Sequence, residues 1–400
     1  MFYRFIYFIY LFSTIFLTAS FLPISLTPRQ GMAIIMFFVC LIKDKRLYSN
    51  KYWGIYLIFI LFYGLSSFVT GYFSYYLQRL MGDFFVAYVA CWATKIYIDK
   101  YVEVNSILLS LAVFGLFDAL ITIGQVNNWP FATAIARALN LDVYASFYEA
   151  LEYNLDMTTR VVPGLFRNGV MNGHFLMVTL IAAFILLNGK NKVIGAFVTL
   201  TILTASFLTQ QRSGFFIGVV FVLFLLFRSQ GINRSKYKYL SYIAITVIII
   251  IVSNVFFQRI GTMETRYSEQ GFSLTGREDM FDFTFDYYLN NFFFGGFLRM
   301  IDKYQVYPHN FFLNALITGG FFGGLAIIIM VFKQTKHVII ELNKQRKYDM
   351  FSWILGLIFI ANVIDSMVHN ISLVNGDVLA WISWTAFYHY KDNSYIVEHI

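Results

Sequence analysis

The sequence predicts an all-α polytopic membrane protein of about twelve transmembrane helices, with one large loop between the ninth and tenth. Three observations carry that prediction. The chain is 58% hydrophobic, 20% aromatic and only 13% charged, which is more apolar surface than a soluble core of 400 residues hides. Its apolar residues come in runs close to the roughly 20 residues that cross a bilayer as helix. Its basic residues gather in short clusters between those runs instead of forming one stripe, so the formal charge of +8 reads as orientation signals and not as a nucleic-acid surface.

Taken in order, the runs cover 5–22, 24–42, 52–70, 82–99, 104–123, 170–187, 192–209, 213–227, 239–257, 310–332, 351–371 and 377–390. The second, eighth and last are short or interrupted, and Pro23 and Pro28 flank the start of the second. The first run reads as a retained span although Thr18-Ala19-Ser20 has a weak likeness to a cleavage site. Cys40 and Cys91 both fall inside runs, which suggests neither a disulfide framework nor a thiolate metal site. No internal repeat, low-complexity tract or appended soluble domain is visible, so residues 1–400 read as a single transmembrane domain.

With Met1 placed in the cytoplasm, nineteen Lys and Arg residues fall inside and eleven outside, every short inside loop is basic, and both termini are cytoplasmic. A second asymmetry bears on function. Fourteen of the fifteen lysines fall inside, Lys303 being the exception, whereas ten of the fifteen arginines fall outside. Lys and Arg serve equally as topological anchors, so that split needs another cause. Guanidinium forks bidentately onto phosphate, and an arginine-bearing outer face suggests a pyrophosphate or another multivalent oxyanion held there; the alternative is ordinary pairing with acidic loop residues. Asp83, Asp118, His174, Asp365 and His369 all fall in the outer halves of their spans. Ionisable groups inside a membrane are costly and mark a site or a pathway, which puts the site at or just below the outer interface.

Two outer segments are long. In the first, 124–169, Asn127-Asn128-Trp129-Pro130 leads into an apolar stretch from Phe131 to Leu141 that predicts a short interfacial helix, and Arg160, Arg167 and Asn168 follow around a Pro163-Gly164 turn. The second, 258–309, carries Arg259, Arg266 and Thr275-Gly276-Arg277 and ends at Tyr307-Pro308-His309-Asn310. Between Arg277 and the next span, Glu278, Asp279, Asp282 and Asp286 recur at helical spacing. They predict a solvated amphipathic helix with Phe281, Phe285 and Leu289 turned to the membrane, in preference to a metal-binding face.

Pro308 is expected at the first helical position of the tenth span, where its missing N–H costs nothing. His309 then lies in the first turn, at the positive end of the helix dipole, which favours a neutral imidazole able to take a proton from a hydroxyl; the alternative is an interfacial His bonding a loop carbonyl. Gly319 with Gly323 and Gly320 with Gly324 are small-xxx-small pairs for close helix packing. Arg212 stands in a tight outer turn, Leu208 to Gly214, so near hydrocarbon that it must snorkel or meet an anion. Asn362, Asp365 and His369 share one face of the eleventh span, as a proton relay or a polar packing network, between which the sequence does not choose. Walker, dinucleotide-binding, HExxH and Gly-x-Ser-x-Gly motifs are missing, so cytoplasmic ATP is not indicated as an energy source.

Arg212 in Thr209-Gln210-Gln211-Arg212-Ser213-Gly214, Gly276-Arg277 in the large loop, and His309-Asn310 followed by Gly320-Phe321-Phe322-Gly323 together resemble the O-antigen polymerase and O-antigen ligase superfamily of bacterial inner-membrane glycosyltransferases. The likeness runs from Val162 to Gly324. It implies a GT-C-like fold, an active site facing the periplasm, and a donor glycan on undecaprenyl pyrophosphate. Arg212 and Arg277 would neutralise the departing pyrophosphate and His309 would deprotonate or orient the acceptor hydroxyl. Arg160, Arg167, Asn168, Arg266 and Asn310 are the further candidates for substrate binding. No cofactor and no metal are expected, and the partners implied are donor and acceptor lipids, membrane lipid and a chain-length regulator. The aromatic content and modest loops lean toward a polymerase over a ligase that accepts lipid A–core; a glycan-lipid flippase or ion-coupled transporter using Asp118, Asp365 and His369 is the reading from another class.

Overall fold

A computed structural model describes residues 2–17, 27–101, 104–139, 162–166, 169–189, 191–209, 211–229, 275–304, 306–344, 349–369 and 373–397, and they are helical with no strand among them. The helices are α1 Phe2–Phe16, α2 Pro28–Asp44, α3 Lys51–Val69, α4 Phe73–Arg79, α5 Phe85–Tyr101, α6 Val104–Val126, α7 Pro130–Leu139, α8 Gly169–Leu187, α9 Lys192–Leu208, α10 Arg212–Ser229, α11 Thr275–Asn290, α12 Phe297–Tyr304, α13 Phe311–Lys344, α14 Met350–Ser366 and α15 Val378–Val397. Eleven of the twelve apolar runs overlap one of these helices over most of their length, and 239–257 lies outside the described residues. Four helices, α3, α6, α8 and α13, are long and apolar enough to cross a membrane, and shorter apolar helices accompany them. The chain is a multi-pass membrane protein.

The ends of the helices follow local chemistry. Pro28 opens α2 behind a capping box, with Gln30 N–H donating to Thr27 Oγ1 at 3.2 Å and Thr27 N–H to Gln30 Oε1 at 2.9 Å. Pro130 opens α7, the expected helix of the first long loop, which lays Ala132 against α6 where Gly124 leaves room. Between α4 and α5 a π-helical turn, Leu80–Phe84, inserts one residue. Within the apolar interior, tyrosine hydroxyls find backbone carbonyls: Tyr3 donates to Ala93 O at 2.9 Å, Tyr10 to Val86 O at 3.0 Å and Tyr56 to Leu373 O at 2.8 Å. A hydroxyl in hydrocarbon has no water to turn to, so each bond stitches one helix to another.

α8 is the hub of the bundle, buried from Asn172 to Ile185 and packed on α6, α9, α10 and α14. α13 packs on α3, and here the glycine pairs act as expected: a Cβ at Gly323 would stand 2.6 Å from Phe62 Cβ, and one at Gly319 2.9 Å from the Phe59 ring.

Two expectations about α13 need correcting. The helix begins at Phe311, so Pro308 and His309 precede it instead of forming its first turn. Asn310 caps it, its Oδ1 accepting from Phe312 N–H at 2.9 Å and Leu313 N–H at 3.3 Å. A side-chain acceptor at the cap satisfies two orphan amides, whereas proline at the first position satisfies none. Gly320, moreover, is not a packing glycine alone. With φ 62° and ψ −169° it breaks the helix, and the loop after α11 takes over the freed groups: Gly296 N–H donates to Ile317 O at 2.8 Å and Phe321 N–H to Phe292 O at 3.0 Å.

Candidate functional site

Asp83, Asp118, His174, Asp365 and His369 sort into three groups at one end of the bundle. That end is defined by contacts joining the last turn of α3, the starts of α8, α10, α13 and α15, and the end of α14.

In the first group, Arg79 and Asp83 flank the π turn. Arg79 Nε donates to Asp83 Oδ2 at 3.1 Å and Nη2 reaches Asn375 Oδ1 at 3.4 Å, while the guanidinium lies 5.5 Å from the Phe297 ring centre. The large loop is held to the same corner, since Tyr72 donates its hydroxyl to Asp302 at 2.6 Å.

The second group shapes a turn. Gln125 clamps Gly164 by both backbone groups, Nε2 to Gly164 O and Gly164 N–H to Oε1, each at 2.9 Å. Asp118 Oδ1 accepts from Leu165 N–H at 2.8 Å, and Asn172 Nδ2 donates to Val162 O at 2.9 Å and Thr122 Oγ1 at 3.0 Å. Gly164 is required there, because its φ is +58° and a Cβ would stand 2.5 Å from Asp118 Oδ1.

The third group is built mainly from side chains. His174 on α8 lies between two carboxylates, Nδ1 at 2.8 Å from Asp365 Oδ2 and Nε2 at 3.2 Å from Asp377 Oδ2. The other Asp365 oxygen accepts from Ser213 Oγ at 2.8 Å, and Ser213 Oγ is also 2.7 Å from His369 Nε2. All but Asp377 are among the residues that the sequence marks as embedded or as part of a motif. Nothing local marks the pairing of His174 with Asp377, 203 positions along the chain. Asn362, on the same face of α14, turns instead to its own helix, donating to Ile358 O at 2.8 Å.

Against this frame the expected site residues fall as follows. Arg212 is the first residue of α10, directly before Ser213. Arg277 is the third residue of α11, the expected amphipathic helix, on which Phe281, Phe285 and Leu289 are exposed and Thr284 and Tyr288 buried. His309 is exposed between buried Pro308 and the cap residue Asn310. Arg160, Arg167, Asn168 and Arg266 lie outside the described residues. Among the described residues no three His, Cys, Asp or Glu side chains are grouped as metal ligands.

Comparison with known families then decides the chain's kinship: residues 196–328 match the family model described as O-antigen ligase. Over that third of the chain the protein resembles the O-antigen polymerase and ligase superfamily. The matched segment runs from α9 into α13 and holds Arg212, Arg266, Arg277, His309 and Asn310. Arg160, Arg167, Asn168 and the residues His174, Asp365 and Asp377 fall outside it. Neither curated proteins nor solved structures give a match. That match is what supports lipopolysaccharide biosynthesis as the chain's setting.

Proposed function

We propose that this protein is an O-antigen polymerase that joins oligosaccharide repeats carried on undecaprenyl pyrophosphate, working at the periplasmic face of the bacterial inner membrane with both termini in the cytoplasm. The observation that carries the reading is that the family segment contains Arg212, Arg277 and His309, the first two at helix starts and the third exposed just before one. Backbone amides at a helix start and a guanidinium both favour an anion.

In the reaction the acceptor hydroxyl oxygen attacks C1 of the donor sugar. The C1–O bond to the diphosphate breaks as the new glycosidic bond forms, the electron pair leaves with the diphosphate, and the hydroxyl proton passes to His309. Arg212 and Arg277 offset the charge that grows on the leaving group. The donor is already activated, so the step needs charge stabilisation and a base. An in-line displacement of this kind inverts the anomeric centre. Arg266, with Arg160, Arg167, Asn168 and Asn310, would bind the glycan or its diphosphate, and a chain-length regulator would act on the product. The fold class proposed for this arrangement is GT-C-like.

The description of the matching family as O-antigen ligase supports a second reading, in which the acceptor is lipid A–core. Both readings are tested by giving the purified protein lipid-linked repeats alone, then with lipid A–core added, and separating the products on a gel. A ladder from repeats alone is the expected result. Transfer only after lipid A–core is added would make the enzyme a ligase, and no transfer to either acceptor would return the transporter reading to the front.

A further inference from the structure

The turn that carries Arg212 is held from both sides. On one side the Gln211 carboxamide is buried against Gly173 and Gly214: a Cβ on either glycine would collide with Gln211 Oε1, 2.5 Å away in the case of Gly214. On the other side Ser213 Oγ lies between Asp365 on α14 and His369 just beyond that helix. Gly173 is followed immediately by His174, so α8 supports the turn through two neighbouring residues.

One arrangement of protons satisfies every contact in the chain of polar groups. Both nitrogens of His174 face carboxylate oxygens, and each of those contacts requires its own proton. Ser213 has one hydroxyl proton. Given to Asp365, it leaves the serine oxygen to accept from His369 Nε2. In that arrangement the bonds run from His369 to Ser213 to Asp365, and from a doubly protonated His174 outward to Asp365 and Asp377. Asp377 is fixed in turn, its second oxygen accepting from Leu379 N–H at 3.1 Å at the start of α15. The preceding 3₁₀ turn, Leu373–Asn375, is held by Tyr56 and Arg79. Side chains on α8, α10 and α14, just beyond α14 and just before α15 are thus each oriented by at least one neighbour.

Stability alone does not account for such a chain. Buried charged groups cost desolvation that apolar residues of similar size avoid, and their best-attested return is a fixed geometry. What lies at the end of this geometry is the backbone of Ser213, bonded directly to Arg212. We propose that Ser213, Asp365 and His369, backed by His174 and Asp377, are positioning residues that set the first turn of α10 so that Arg212 meets the diphosphate of the polyprenyl-linked donor. The inference rests on the function proposed above. It assigns a task to groups outside the family segment and removes the need for Asp365 and His369 to serve a transport pathway.

The test compares Ser213→Ala, Ser213→Thr, Arg212→Ala and Arg212→Lys, with transfer rates measured over a range of lipid-linked donor concentrations and melting followed in detergent. Ser213→Ala is expected to lower kcat/KM for the donor about tenfold, the order expected when a charged group is displaced by a fraction of an ångström. Its melting temperature should fall by no more than a few degrees, since Asp365 keeps its bond to His174, and Ser213→Thr, which keeps the hydroxyl, should recover the rate. In the Arg212→Lys background the same serine substitution should cost less than about twofold, because two residues acting through one contact are not additive. Should Ser213→Ala melt early, His369→Ala removes the other half of the same bond and is read by the same criteria. Wild-type activity in Ser213→Ala beside an inactive Arg212→Ala overturns the inference, as does an undiminished serine effect in the Arg212→Lys background. Wild-type activity in Arg212→Ala itself overturns instead the functional reading beneath it.

Discussion

Two buried polar groups stand at the same end of the bundle and are built in opposite ways. Around Gly164, the side chains of Asp118, Gln125 and Asn172 bond backbone amides and carbonyls, so a change at any of them leaves a buried main-chain group without its partner. Around His174, carboxylates, imidazoles and a hydroxyl bond one another and the backbone is largely spared. The first arrangement dictates the path of the chain. The second dictates where side chains point, which matters only if something binds beside them. The comparison teaches that buried polarity in a membrane helix is not by itself a sign of chemistry: Asp118 and Asp365 are both fully buried acids, yet Asp118 holds a backbone turn and Asp365 holds other side chains.

Substitutions sharpen that contrast. The largest loss of stability should come from Gly164→Ala and Gly320→Ala, since both glycines have positive φ and a Cβ at either would press on Asp118 or on the Phe293 carbonyl. Each should cost about 3 kcal/mol, read as early melting in detergent. Gly164→Ala that melts normally yet loses activity would break the comparison, because the turn would then be part of the chemistry. Gln125→Leu removes both bonds to Gly164 and should cost about 2 kcal/mol by leaving buried backbone groups unmet, again visible in melting before activity. The smallest effect belongs to Asn310→Ala, which deletes the cap of α13 and should cost about 1 kcal/mol. A loss of activity from Asn310→Ala far beyond that of Asn310→Asp, a substitution that keeps the capping oxygen, would assign the side chain amide to substrate instead.

Which parts of this were legible in the sequence follows from the range of the forces involved. Apolar runs set helices through local composition, so eleven runs were found as helices with no knowledge of their neighbours. The turn signals were local too, but they compete. In Tyr307-Pro308-His309-Asn310 both Pro308 and Asn310 announce a helix start, and the two hydrogen bonds to Asn310 decide for the later one. The break at Gly320 was hidden because it needs a partner strand of loop, Phe292 to Gly296, to accept and donate what the helix gives up. The three buried groups were visible as out-of-place charges but not as groups. Asp83 could be matched to Arg79 at helical spacing, whereas Asp377 became part of the site only when folding brought it to His174.

The central claim is that His309 takes the acceptor's proton while the arginine-bearing helix starts hold the departing diphosphate. The most direct test measures release of polyprenyl diphosphate from a lipid-linked donor, with and without acceptor, in the wild type and in His309→Ala. The account predicts acceptor-dependent release from the wild type, and release at least about 100-fold slower in His309→Ala at an unchanged melting temperature. Release from His309→Ala at the wild-type rate would contradict it.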